Sequence, residues 1–145
     1  MQISKFEKKH LKEVFEIEQN SFSIPWSKKS IEEDVFNNER SIYIVALENG
    51  EVTGYAGMWD IVGEAHITNI AVAENHRQKG VGYGLVERLI QIATDKKMTG
   101  LTLEVRINNQ KAQKLYIKHG FKIEGLRKNY YKDTNEDAVI MWKHL

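Results

Sequence analysis

Residues 65–92 read "AHITNIAVAENHRQKGVGYGLVERLIQI". A β-branched run comes first, then a polar loop that ends in the alternating glycines Gly80, Gly82 and Gly84. Apolar Val81, Leu85, Leu89 and Ile92 follow at spacings of four, four and three. That last spacing is a helix with a wide apolar face. A strand that passes through a glycine loop into a helix N-terminus makes a cradle for anions. The terminus presents up to about four unpaired N–H groups and about half a positive charge, and glycine leaves no Cβ in the way. Arg77 and Lys79 add mobile positive charge beside it.

Which anion the loop suits depends on its spacing. A P-loop needs four residues between its glycines and then Lys-Ser/Thr, and neither is present. The dinucleotide fingerprint G-x-G-x-x-G fails at its third glycine, where Leu85 stands. Glu104, twenty residues after Gly84, suits the ribose-binding acid of that fingerprint. Against it, six polar residues separate the preceding strand from Gly80, where a dinucleotide turn has glycine directly after its strand. A third reading is a loop with a turn glycine and no ligand. Three glycines within five residues at a helix start speak against it.

Outward from this stretch, "MQISKF" reads as a short strand and Lys9–Asn20 as a helix, with Leu11, Val14, Phe15 and Phe22 at helical spacing. "PWSKKSIEEDV" begins a second helix, capped by Ser27 or by Ser30, the latter with Glu33 at capping-box spacing. Two strands flank Asn49-Gly50, the favoured type I′ hairpin pair. After the long helix, Lys96 and Lys97 suit its C-terminal dipole and Gly100 lies just beyond. "LTLEVR" is a strand, and "NNQKAQKLYIKHG" is a helix with Asn108 or Asn109 at its start and Gly120 at its end. Two final strands, "FKIEGLRKNYY" and "DAVIMWKHL", complete the order β-α-α-β-β-β-α-β-α-β-β. Hairpins and helical crossovers together predict an α/β fold, a mixed sheet with helices on its faces.

The 145 residues suit one domain, 1–145, with no repeat, linker or low-complexity tract. A net charge of +1 gives no global field for nucleic acid. The absence of cysteine excludes disulfides, thiolate metal sites and thiol nucleophiles. The N-terminus has no secretory h-region, and no apolar run reaches the ~18 residues of a membrane span, so a soluble cytoplasmic protein is expected.

Chemistry concentrates after the glycine loop. In "LTLEVR", Leu101, Leu103 and Val105 point one way and Thr102, Glu104 and Arg106 the other. Glu104 is either a partner for Arg106 at a sheet margin or a general base in a groove, because a charge on an inner strand is costly if unpaired. Tyr116 shares a helix face with Ala112, Leu115 and His119. It reads as core, or as a phenol able to protonate a departing thiolate, its usual pKa being about 10. His66 is a strand histidine or a backup base. The other histidines are scattered and suggest no metal site.

"RQKGVG" (Arg77–Gly82) resembles the Arg/Gln-x-x-Gly-x-Gly/Ala motif of the GCN5-related N-acetyltransferases (GNAT), as does the element order of the whole chain. "LEVRINNQKAQKLYIKHGF", "FSIPWS", "NIAV", "RKNYY" and "EDAVIM" resemble in particular the ribosomal-protein-alanine N-acetyltransferases. This resemblance implies a mostly antiparallel sheet of about seven strands. It implies acetyl-coenzyme A as cosubstrate, its pyrophosphate on the amides of Gln78, Lys79, Gly80, Val81, Gly82 and Tyr83, with a further contact from Asn109. The pantetheine arm would pair with Ile70, Ala71 and Val72 as an added strand. Glu104 would be the proton acceptor and Tyr116 the proton donor.

Trp26, Tyr130 and Tyr131 would line the acceptor groove. Adjacent Tyr130 and Tyr131 on a regular strand face opposite ways, so one of them is expected there. Lys132 stands where the family often has proline. The implied acceptor is a protein N-terminus, that of a ribosomal protein, with no metal, nucleic acid or membrane, acted on by a monomer or weak dimer. An α-amine of pKa about 7.7–8.0 needs about 2.5 units less help than a lysine near 10.4, more than ~3 kcal/mol. A polyamine or lysine acceptor, or a non-catalytic acyl-coenzyme A binding module, are the alternatives.

Overall fold

Strand residues Tyr43 and Val45 join one apolar cluster while their neighbours Ile44 and Ala46 join another. A sheet apolar on both faces needs cover on both, and the chain supplies it with two pairs of helices. The computed structural model describes residues 1–145. The strands are β1 (Gln2–Lys5), β2 (Ser41–Glu48), β3 (Glu51–Ile61), β4 (Glu64–Val72), β5 (Gly100–Arg106), β6 (Lys122–Tyr131) and β7 (Glu136–His144). The helices are α1 (Leu11–Ser21), α2 (Lys28–Asn37), α3 (Val81–Asp95) and α4 (Gln110–Lys118). The seven strands lie in the order β1-β2-β3-β4-β5-β7-β6. Every neighbouring pair is antiparallel except β4–β5. The element order and the mixed, mostly antiparallel sheet agree with the sequence reading.

On one face, Leu11, Val14 and Ile17 of α1 and Ile31 of α2 pack on Tyr43, Val45 and Tyr55. On the other, Val81, Leu85, Val86 and Leu89 of α3 and Tyr116 of α4 pack on Met58, Ile67, Leu101, Leu103 and Met141. Leu85 and Leu89 have no exposed surface, and burial of each such side chain contributes about 1.5–3 kcal/mol. Ser27, not Ser30, caps α2, its hydroxyl accepting from the Ser30 amide at 3.1 Å.

Two features of the centre position the site. First, the parallel pairing of β4 and β5 covers only Glu64–Gly100, Ala65–Leu101 and His66–Thr102, after which the strands part. Second, β4 carries a bulge at Thr68, between the Met58–Ile67 and Gly57–Asn69 pairs. Ahead of it Ala65 and Ile67 join the α3 cluster. Beyond it Ile70 and Val72 pack toward α3, and Ala71 joins the α1 cluster. One extra residue has exchanged the faces. No helix is long and apolar enough to cross a membrane.

Candidate active site

The glycine loop enters α3 through backbone that only a few residues adopt readily. Gln78 has φ 62° and the N-cap Gly80 has φ 84°. The first helical bond is donated by Gly84 to the Gly80 carbonyl at 3.0 Å. The amides of Val81, Gly82 and Tyr83 have no acceptor within the chain, so a turn of donors faces outward. The three glycines do different work. Gly80 supplies the left-handed conformation. A Cβ on Gly84 would lie 2.6 Å from the Met1 methyl, so that glycine serves packing. A Cβ on Gly82 would meet nothing closer than Leu115 at 3.5 Å. The protein's own packing does not demand glycine there, whereas a ligand on the backbone would. Val81 offers only its amide, because its side chain is in the core. Lys79 is exposed, and exposed Tyr83 lies against His119, the rings tilted by 36° with centroids 4.1 Å apart. Arg77 corrects the expectation of a mobile charge. Its Nε donates to the Val72 carbonyl at 3.1 Å, tying the loop to the end of β4.

Beside this cradle the parted strands open a cavity of ≈ 860 Å³. Ile70, Glu104, Asn109, Tyr116, Trp26, Tyr130 and Tyr131 all line it, while Ala71, Val72 and the loop Gln78–Tyr83 lie outside its lining. From Ile67 onward β4 has no strand partner on its β5 side, so that edge faces the opening. The cavity passes through the sheet. Leu103 and Val105 belong to the α3 cluster, so Glu104 between them projects from the opposite face, while Tyr116 reaches the gap from the α4 side.

Glu104 does not pair with Arg106. Its Oε1 lies 3.3 Å from the Arg127 Nε, and its side chain is 31% exposed. Arg106 turns away and grips Asp133 with two nitrogens at 2.8 and 3.0 Å. Tyr116 is buried against Phe121, with ring centroids 5.6 Å apart. Burial, with a smaller contribution from Tyr131, raises its phenol above the usual value of about 10, so the proton is retained across the physiological range. Asn109 caps α4, its Oδ1 accepting from the Ala112 amide at 3.1 Å while the residue also lines the cavity.

The tyrosine pair departs from the sequence expectation. Asn129 has φ 51° and the β6–β7 register slips between Arg127 and Tyr131. Alternation fails there, and both tyrosines reach the cavity, edge to face at 5.1 Å. Burial pushes the Tyr131 phenol up to about 12, and the Arg106 guanidinium lies 4.0 Å from its ring. His66, open between a strand histidine and a backup base, is placed by its neighbours. It sits at the paired end of β4 beside Glu64 and Trp142, outside the cavity lining, which fits the strand-histidine reading.

Sequence reasoning passed over Glu18, Asn69, Ser23 and Asp133. Ser23 and Asp133 join the two walls across the cavity, the serine hydroxyl donating at 2.5 Å. Glu18 is 1% exposed and lines the cavity from α1. Its signal was present, because position 18 continues the apolar stripe of Val14, Phe15 and Phe22 yet carries a carboxylate. No cluster of three or more metal-ligating side chains is present.

Residues 11–121 match the acetyltransferase (GNAT) family. A protein of Bacillus subtilis (strain 168), provisionally named a ribosomal protein bS18-alanine N-acetyltransferase, is 41% identical over 129 residues, 89% of this chain and 85% of that one. The crystal structure of the ribosomal-protein-S18-alanine N-acetyltransferase from Escherichia coli superposes with a TM-score of 0.90 at 34% identity, covering 99% of this chain and 92% of that one. A Bacillus anthracis (strain Ames) protein, provisionally named a streptothricin acetyltransferase and solved with acetyl coenzyme A, has a TM-score of 0.79 at 24% identity over 99% and 98% of the two chains. That last likeness is one of fold.

Proposed function

The chain belongs to the acetyltransferase (GNAT) family, and from that premise we propose that it transfers the acetyl group of acetyl-coenzyme A to a protein N-terminal α-amine. The acceptor proposed is the N-terminal alanine of ribosomal protein bS18, acted on in the cytoplasm by one domain, residues 1–145, as a monomer or weak dimer. One observation carries the reading. Glu104 and Tyr116, on opposite faces of the sheet, meet in one cavity where an unpaired strand edge leads from a cradle of free amides.

The residues fit the acyl donor. The amides of Val81, Gly82 and Tyr83 suit a pyrophosphate, and the free edge of β4 suits the amides of a pantetheine arm. Asn109 adds a polar group where that arm would enter. The acceptor's neutral amine attacks the thioester carbon, the new C–N bond forms and the C–S bond breaks. Glu104 receives the proton lost by the nitrogen, through a water. Tyr116, still protonated, supplies a proton to the departing thiolate. A β4 backbone amide near Ile70 stabilises the developing oxyanion. Trp26, Tyr130 and Tyr131 form the walls around the incoming chain end.

The test is acetyl transfer to peptides differing only in their first residue, together with internal-lysine peptides and free polyamines. Turnover is expected on the alanine-first bS18 peptide. Turnover confined to polyamines or lysine would overturn the acceptor. Acetyl-coenzyme A binding with no acceptor in any class would overturn the catalytic reading.

A further inference from the structure

Glu18 is the most deeply buried carboxylate in the chain, at 1% exposure, and no cation pairs with it. Its acceptors are satisfied by neutral donors from three segments. The Trp26 amide donates to Oε2 at 2.9 Å. The Tyr55 hydroxyl of β3 and the Asn69 Nδ2 of β4, the latter at 3.5 Å, donate to Oε1. Burying an ionised carboxylate costs several kcal/mol unless hydrogen bonds replace its water. An apolar residue would complete the α1 stripe without that cost, so a carboxylate here points to a role beyond packing.

The three contacts indicate the role. Trp26 is a wall of the cavity and belongs to the loop between α1 and α2, which has no regular structure of its own. Asn69 directly follows the bulge at Thr68 and precedes Ile70, where β4 faces the gap. The Tyr43 hydroxyl, which donates to Asp34 of α2 at 2.5 Å, lies 3.4 Å from the Asn69 Oδ1. One buried carboxylate thus joins the irregular Trp26 wall of the groove to the strand that would carry the thioester.

We infer that Glu18 is a positioning residue for acyl transfer, which sets the Trp26 wall of the acceptor groove against the bulged segment of β4. In this arrangement Glu18, its oxygens taken up by protein donors, acts through the Trp26 backbone amide and the Asn69 side chain. The inference rests on reading the cavity as the acceptor groove. Near-attack geometry is sensitive to displacements of about 1 Å, so the acceptor half of the reaction should respond to Glu18 while the distant amide cradle does not.

A double-mutant cycle tests this in the full chain, using Glu18→Gln, Trp26→Ala and the pair, with the alanine-first peptide or whichever amine the wild type turns over. Wild-type turnover itself judges the acceptor assignment, so the two readings fail separately. Glu18→Gln should raise the acceptor KM about tenfold and lower kcat severalfold, with calorimetric acetyl-coenzyme A affinity kept within about twofold. In the Trp26→Ala background the same change should cost less than about threefold in kcat/KM. Equal losses in both backgrounds, or a matching loss of acetyl-coenzyme A affinity, would overturn the inference. If Glu18→Gln does not fold, Asn69→Ala removes one donor to Glu18, together with the long contact to Tyr43. It should lower acceptor kcat/KM at least about fivefold with acetyl-coenzyme A affinity kept, and a fall in both overturns the proposal.

Discussion

The two faces of the sheet contribute to one cavity in different materials. On the α3 face the cradle is backbone: free amides, a left-handed glycine and a second glycine that leaves room. On the α1 face the walls are side chains from four distant segments, joined by Glu18, by the Ser23–Asp133 bond and by Arg106. A backbone cradle binds the part common to every acyl-coenzyme A and tolerates side-chain change. A wall built of side chains can discriminate among acceptors and can be retuned by substitution. Substitutions on the two faces should therefore affect different kinetic constants.

The largest separation is expected from Glu104→Gln. It should lower acceptor kcat/KM by about 10²–10⁴-fold and abolish or displace the acidic limb of the pH–rate profile, with acetyl-coenzyme A affinity little changed. An unchanged limb would place the base on another group. Tyr116→Phe comes next, with kcat falling about 10²-fold and KM for either substrate nearly constant. Because burial raises this phenol above about 10, wild-type activity should show no tyrosine-dependent alkaline limb below pH 10. The stability owed to neutral Tyr116 and Tyr131 is complete below the unfolded value near 10 and is lost as pH rises, for Tyr131 through about 12.

A smaller effect, confined to the amide cradle, is predicted for Gly82→Val. It should weaken acetyl-coenzyme A binding roughly 10–100-fold, the worth of hydrogen bonds to a charged group. Lys79→Ala should cost no more than about fivefold, as an exposed charge. Equal losses in calorimetric titration would break the contrast between backbone and side-chain recognition. The smallest effect is expected at the Ser23–Asp133 bond. Arg106 and then Ser23 hold the Asp133 carboxyl at about 2, below its ordinary 3.8. The sign follows from a depressed value: its stabilisation is present above about pH 4 and is lost as pH falls toward 2. A carboxyl NMR titration of Asp133 should show a midpoint near 2 in the wild type and a somewhat higher one in Ser23→Ala, and an unchanged midpoint in Ser23→Ala would mean that the two walls do not join in solution.

What the sequence made legible divides along the same line. The donor side is local. Gly80 at the start of α3, the Asn49-Gly50 turn at φ 52° and 84°, and the caps of α2 and α4 each depend on a few consecutive residues. Where the chain used an unfavourable residue for a local task, the signal was lost. Val62 with Gly63 makes the β3–β4 turn at φ 51° and 84°, though a β-branched residue is poorly suited to it. Lys97, at φ 58°, takes the left-handed position after α3, and Gly100 instead lies in β5, where a Cβ would be 2.9 Å from the Lys143 carbonyl.

The acceptor side depends on long-range contacts. The slipped register that turns both Tyr130 and Tyr131 inward and the Thr68 bulge are set by cross-strand pairing within hairpins rather than by the residues themselves, and Arg106 takes its partner Asp133 from 27 residues away. Glu18 is the exception, legible as a charge in an apolar stripe.

The parting of β4 and β5 has a consequence for the empty protein. A strand with unused amides and carbonyls is a template on which other chains can grow, and proteins ordinarily conceal such edges to avoid aggregation. Here the vulnerable edge lies in the middle of the sheet, inside a cleft walled by Trp26, Tyr130 and Tyr131, where a foreign strand has little room to add. A narrow ligand can enter. By mass action the molecule that completes the sheet should also raise its melting temperature.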